Sequence, residues 1–282
     1  MISYDIKRMQ EKQLEIFNEF YKICKKNNIR IFLAFGTALG AIRHNGFIPW
    51  DDDIDIFIFE EDRKRLREIC IKDLPPNFFY QSVETDPEYR LAIDRIRLST
   101  TTLIETREID RDINHGIFID LYPLFRCADG RIKHTIQFVS RVLYRCLLFN
   151  EPAVNRGFIR RFLSSFIIRA TPKFVRQKIL NTSNSFVQLL GGNKNYATFY
   201  GDEIKLKYSA KWFEKARMVN FENIMAPVAN NVEKCLNLEY GNYMKLPPIE
   251  ERKIHHAYSF MDFEVGYAEY KYEKYLVLEE NY

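Results

Sequence analysis

Nowhere in the 282 residues is there a run of about twenty uncharged apolar residues, the length a helical membrane span needs. Met1 is followed within a few positions by Asp5, Lys7 and Arg8, so the start does not resemble an export signal either. The five cysteines, Cys24, Cys70, Cys127, Cys146 and Cys235, are odd in number and form no CxxC pair. That pattern argues against both a disulfide framework and a thiolate zinc site. Internal repeats, low-complexity tracts and disordered linkers are also missing, and these absences together predict a compact cytoplasmic protein. A further scarcity is local: between Arg131 and Lys178 a single acid, Glu151, stands against eleven Lys and Arg. The segment carries +10, leaving −6 for the rest of a chain whose net charge is +4.

What that segment does contain is Phe, Ile and Leu at helical spacing among the arginines, as in "FIRRFLSSFIIRATPKFVRQKIL". A basic amphipathic helix of this kind suits an anionic membrane surface, and the expectation is peripheral contact with the inner membrane face. The alternative is a helix that buries its apolar side and leaves its charges in water. Upstream, Ile6, Met9, Gln13, Ile16, Phe17, Phe20, Ile23 and Cys24 follow a period of 3.6, which predicts an N-terminal helix ending near "KKNN". "IRIFLAF" reads as a buried strand, "GTALGAIRHNG" as a turn into a short helix closed by Gly46, and "DIDIFIF" as an alternating strand. A charged helix from about Glu60 to Ile71 follows, then strands at "FFYQSV", "LAIDRIRL" and "GIFIDLY". The fold class expected is α/β: a mixed sheet with flanking helices and an added basic helical region. The domain boundaries expected are 1–130 for the catalytic core, 131–195 for the basic extension and 196–282 for a segment completing the core.

The chemistry concentrates in "FIPWDDDIDI", where four carboxylates fall within the five positions 51–55. Crowded carboxylates repel one another and raise each other's pKa unless a cation sits among them. Residues i and i+2 of a strand share a face, so Asp53 and Asp55 project together, a pair of oxygen donors suited to Mg2+ or Mn2+. Asp120 in "GIFIDLY" is a lone acid in an apolar strand and needs a partner, for which the metal is the best candidate. Gly36 and Thr37 lie where a strand hands over to a helix, a place that favours phosphate, the alternative being an ordinary threonine cap. Arg43 and His44 follow on that helix within reach of a diphosphate, though Arg43 can instead pair with the acids. Arg95 and Arg97 share a strand face and either hold phosphate or form an exposed basic edge. His255 and His256 follow "PPIEERK" in a loop-like context, where they could serve as acid, base or ligand or carry no role at all. Trp50, Tyr89, Tyr122 and Tyr258 are aromatics that could enclose a quaternary ammonium or simply pack.

The blocks "GTALGAIRHNGFIPWDDDIDIFI", "RIRLSTTTLIE", "HGIFIDLYPL" and "EYGNYMKLPPIEERKIHH" resemble, in order, the LicD family of phosphocholine transferases, which are related to fukutin-related proteins and have a nucleotidyltransferase-type fold. The resemblance runs from Phe35 to His256. It implies that Asp53 and Asp55 are the metal-binding acid pair, that Asp120 is the third strand acid of the catalytic and metal site, and that Gly36 and Thr37 are the family's Gly-Thr motif at the donor; Arg43 and Arg97 are donor-phosphate candidates from their positions in the chain alone. It also implies transfer of phosphocholine or a related phospho-alcohol from CDP-choline or another CDP-alcohol to a hydroxyl of a cell-surface glycan or its lipid-linked precursor, releasing CMP. No nucleic acid is implied. Two other functions are compatible: nucleotide transfer with pyrophosphate release, and a non-catalytic glycan- or membrane-binding relative. Phe125 and Ala38 depart from residues common in the family, and neither change touches an acid.

Overall fold

The computed structural model describes residues 5–150, 158–198, 206–254 and 256–270. They form two compact units of a mixed α/β fold. The first draws on Met1–Tyr89, Ile93–Pro123 and Trp212–Tyr282, the second on Arg90–Ala92 and Leu124–Lys211.

The first unit opens with helix α1 (Ile6–Lys26), capped by the Asp5 side chain, which accepts the Arg8 N–H. Its buried stripe is Met9, Gln13, Ile16, Phe17, Phe20, Ile23 and Cys24, the set the 3.6-residue period picks out. Strand β1 (Ile31–Leu33) leads into helix α2 (Phe35–His44), and strand β2 (Asp55–Phe59) into helix α3 (Glu60–Asp73), whose first turn holds Glu60, Glu61 and Asp62 at the favourable end of its dipole. Strands β3 (Phe78–Gln81), β4 (Asp94–Leu98), β5 (Thr102–Glu105) and β6 (Ile117–Arg126) follow. The sheet order in this unit is β1-β2-β6-β4-β3, with the β1–β2, β3–β4 and β4–β6 pairs antiparallel. β2, β4 and almost all of β6 are buried on both faces, so these strands are interior rather than half-solvated.

The second unit contains helices α4 (Arg131–Phe149), α5 (Phe158–Ala170) and α6 (Lys173–Leu189). The single basic helix expected around residues 158–180 is therefore two, broken at Pro172, which cannot continue α5 and instead starts α6. Short strands β7 (Asn195–Ala197) and β8 (Tyr208–Ser209) pair with each other, and β7 also pairs with Phe125 and Arg126. The chain then returns to the first unit with the β9 (Ala216–Phe221) and β10 (Ile224–Ala229) hairpin, helix α7 (Val232–Tyr240) and β11 (Tyr258–Asp262), which pairs antiparallel with β5. All five cysteines are free thiols, four of them buried. Among the described residues no helix is long and apolar enough to cross a membrane.

Candidate active site

The turn from β1 to α2 is built on a strained residue. Phe35 has φ +44°, in the left-handed region that disfavours a residue with a Cβ, at a cost of roughly 1–2 kcal/mol. Its ring is clamped edge-on against Phe57 at 4.9 Å and Tyr122 at 5.0 Å, which holds the strained conformation. Gly36 and Thr37 thus lie inside the first turn of α2 rather than in a loop before it. The Thr37 hydroxyl accepts the Asp55 N–H at 2.8 Å, fastening α2 to the first residue of β2. α2 ends at Asn45 in the left-handed conformation, not at Gly46 as the sequence suggests.

Two glycines let the acidic segment fold back over this helix. A Cβ on Gly40 would lie 2.4 Å from the Gly46 carbonyl, and a Cβ on Gly36 would lie 2.7 Å from Asp51 Oδ2. Before β2 begins, the backbone of the segment has carbonyls that need donors. Gln10 Nε2 donates to Asp51 O at 2.9 Å and Gln13 Nε2 to Asp52 O at 2.8 Å. These two α1 amides therefore hold the acids in place, a role hidden in sequence because Gln13 fits the helix's buried stripe on spacing alone.

Asp51, Asp52 and Asp53 present carboxylate oxygens that all lie within 4.8 Å of one another. Asp51 Oδ2 is buried and has no hydrogen-bond partner. Burial, with Asp53 and Asp52 beside it, pushes the Asp51 carboxyl well above the usual range. Burial also pushes Asp53 up to about 7, with Asp52 and Asp120 adding to the rise and His256 and Arg95 opposing it. The Asp120 backbone N–H donates to Ile54 O at 2.8 Å, so this β6 acid lies alongside the segment carrying Asp53 and Asp55. The structure thus brings Gly36, Thr37 and Asp120 alongside the acid segment, but the carboxylates that meet are Asp51, Asp52 and Asp53; Asp53 precedes β2, so it does not form with Asp55 the same-face strand pair expected from sequence.

Asp120 also has a protein partner that the sequence reading does not supply. Arg95, its cross-strand neighbour on β4, donates from Nε to Oδ1 at 2.7 Å. Arg95 Nη1 further reaches Glu105 at 2.6 Å and Glu108 at 3.3 Å, and its guanidinium lies 3.6 Å from the centre of the Phe118 ring. Against its burial, Arg95 and Arg107 hold Glu105 below its ordinary range. Arg97 is fully buried, donating from Nε to Gln81, from Nη1 to Gly116 O and from Nη2 to Glu108. The expectation that Arg97 contacts donor phosphate is therefore withdrawn. β4 is an interior strand, so its arginines are enclosed rather than exposed along a basic edge.

The chain entering β11, and its first residue, contribute what sequence leaves open. His256 Nδ1 lies 3.3 Å from Asp52 Oδ2 and 3.8 Å from Asp53 Oδ2. Burial alone would pull this imidazole down, but the two carboxylates outweigh it and raise it to about 9. Tyr258 donates to Asp52 Oδ2 at 2.8 Å. His255 lies outside the described residues. Arg43 donates from Nη1 to Tyr243 O at 2.8 Å and from Nε to the His44 ring at 2.9 Å; its positive charge lowers the Asp51 carboxyl. Arg252 covers the Trp50 ring at 5.3 Å, and Tyr89 is buried with Arg95 at 6.0 Å from its ring, so those two faces already carry cations.

The sequence profile of the family described as LicD/FKTN/FKRP, nucleotidyltransferase domain, matches residues 28–136, the stretch that holds Gly36, Thr37, the acid segment and Asp120. A lipopolysaccharide cholinephosphotransferase, LicD of Haemophilus influenzae, is 28% identical over 261 residues, spanning 88% of this chain and 96% of its own. An uncharacterized protein of Rickettsia prowazekii is 44% identical over 55 residues, 20% of this chain and 21% of that protein. The strained turn, acid segment and β6 acid thus lie in the stretch that matches the LicD/FKTN/FKRP nucleotidyltransferase domain, and the likeness to the Haemophilus protein extends over nearly the whole chain.

Proposed function

We propose that the protein is a metal-dependent transferase that moves phosphocholine, or a related phospho-alcohol, from a CDP-alcohol to a hydroxyl of a surface glycan or its lipid-linked precursor, releasing CMP. The observation that carries this reading is the acid cluster with its buried, unpartnered Asp51 oxygen. The likeness to a lipopolysaccharide cholinephosphotransferase over nearly the full length supports the substrate class.

The residues present fit a hard divalent cation. The donors are all carboxylate oxygens, they crowd closely enough to raise each other's pKa, and a buried carboxylate oxygen without a donor is costly unless a cation meets it. Asp53, with Asp51 and Asp52 beside it, would hold Mg2+ or Mn2+, and Asp55 and Asp120 on the adjoining strands would complete the set of oxygens around the ion. Bound there, the ion would neutralise charge on the donor diphosphate and on the departing CMP.

The rest of the work falls to the chain. Thr37 accepts the Asp55 N–H and so fixes that carboxylate's backbone, while its own O–H remains able to donate to a phosphate oxygen. Arg43 adds positive charge beside Asp51 for the diphosphate. Asp120 has one oxygen engaged by Arg95, so its other oxygen orients the acceptor hydroxyl and takes its proton as the phosphorus–oxygen bond forms. Positioning and electrostatic stabilisation supply most of the acceleration in such a transfer. The test is incubation with CDP-choline and other CDP-alcohols plus glycan acceptors, followed by product analysis. CMP release that depends on acceptor and divalent metal supports the reading; pyrophosphate release from a nucleotide donor, or no turnover with any CDP-alcohol, would sink it.

A further inference from the structure

The first three turns of helix α4 are built inside out, while its last turns bury Tyr144, Leu147 and Leu148 in the ordinary way. The inward residues of those first turns are polar: Gln137 is fully buried, accepting the Ala128 N–H and donating to Arg126 O and Val187 O. Arg141, also fully buried, donates to Asn184 and lies over the Phe125 and Tyr144 rings at 4.5 Å each. Its outward residues are apolar: Ile132, Ile136, Val139 and Val142 recur at helical spacing and all stand exposed, Ile132 at 78%. The neighbouring helices continue the pattern with Phe162 and Phe166 on α5, each 62% exposed. Of the eighteen large hydrophobic side chains exposed among the described residues, ten lie on α4, α5 and α6. Scattered exposed apolar residues are ordinary, but such a concentration marks an interaction surface.

The charge on the same helices selects the partner. Together they carry ten Lys and Arg and no Asp or Glu, and Arg131, Lys133, Arg169, Lys173 and Lys178 are exposed. Contact with a second copy through this face would oppose two sets of cations without a carboxylate to answer either, which repels. An anionic lipid surface instead offers phosphate groups for the cations and acyl chains for the Phe, Ile and Val side chains. None of the three helices is long and apolar enough to span. We infer that the outward face of α4, α5 and α6 is a membrane-docking surface, which lies on an anionic bilayer with Ile136, Val139, Phe162 and Phe166 inserted below the headgroups. This surface narrows the basic region expected from sequence to particular side chains, and it adds α4, where the outward stripe alternates with a buried polar one.

The test is co-sedimentation of the full chain with phosphatidylglycerol–phosphatidylcholine vesicles and with phosphatidylcholine vesicles alone. Binding to the anionic vesicles that falls with rising salt is expected. The pair Ile136→Asp and Val139→Asp should weaken it more than about tenfold even at low salt, by removing insertion. The pair Lys133→Glu and Arg169→Glu should weaken it by more than about 25-fold and flatten the salt dependence, since each basic residue near an anionic surface strengthens partition roughly fivefold and each Glu adds repulsion. Far-UV circular dichroism identical to the parent's shows that the variants fold, as these side chains point outward. Four results overturn the inference: no co-sedimentation of the parent, equal binding to neutral vesicles, binding that survives the Asp pair, or lipid-free self-association that the Asp pair returns to monomer. The readout is vesicle binding alone, so it stands apart from whether any CDP-alcohol is turned over.

Discussion

Replacing Arg95 with Met removes the one cation that touches Asp120, Glu105 and Glu108 at once, from a position with no solvent exposure. Water cannot rescue the carboxylates left behind, and breaking a buried ion pair from one side costs about 3–5 kcal/mol. Loss of the guanidinium from the Phe118 ring, 3.6 Å away, adds to that, so the upper end of the range applies. Against a total stability of about 5–15 kcal/mol, such a change would leave the fold marginal. Arg95→Lys is the informative companion. It keeps the charge, but Asp120 is held from Nε while Glu105 and Glu108 are held from Nη1, and one ammonium cannot occupy both places. Its loss should be about half that of Met. Both tryptophans, Trp50 and Trp212, belong to the unit that contains Arg95, so urea unfolding followed by intrinsic fluorescence reports on that unit. The pH dependence supplies a second signature. Glu105 is held below its ordinary 4.5, so its contribution is fully present above pH 4.5 and is lost as the pH falls through the lowered value. Arg95→Met should lose this acid dependence along with the stability. A loss under about 1 kcal/mol, the range of an exposed ion pair, would refute the reasoning.

Asp53→Asn should abolish CMP release at saturating Mg2+. In the metal-free protein the same change should remove a fall in stability between about pH 4 and 7, because Asp53 is raised from 3.8 to about 7 and its ionisation disfavours the folded state across that window; urea titrations in chelator at several pH values check it. His256→Gln, measured the same way, should remove a contribution that in the parent is complete below pH 6.5 and disappears as the pH rises through about 9; an unchanged profile above pH 7 would detach His256 from the acids. Gly36→Ala sets a methyl 2.7 Å from a buried Asp51 oxygen that has little room to retreat, so it should cost about 1–3 kcal/mol and lower turnover, with parent-like activity excluding the close approach.

Helix α1 and the acid segment were legible because each declares itself over a few neighbouring residues, by a 3.6-residue stripe in one case and by four carboxylates in five positions in the other. Arg95 and Arg97 are neither the open phosphate ligands nor the exposed edge that sequence offers, for a reason that no local pattern reveals. Whether β4 is an edge or an interior strand depends on β3 and β6, and both flank it. The partner of Asp120 was missed on the same account, since the register that sets Arg95 opposite it is a property of the sheet. His256 carried no local signal, because nothing around "KIHH" points to an acid 204 residues away. α4 lay within the basic helical region read from charge, but that its Ile and Val face outward was decided by Gln137 and Arg141 finding partners inside.

That distance between His256 and Asp52 has a consequence for how the protein is born. Synthesis runs from the N-terminus, so the ribosome delivers α1, the strained Phe35 turn and all the acids long before β11, which brings His256 and Tyr258 to Asp52. Pairing across so long a stretch of chain is among the slowest events of folding. Throughout that interval the nascent chain carries a knot of negative charge without its imidazole counterweight, and any prematurely terminated product ending before His256 would carry it permanently.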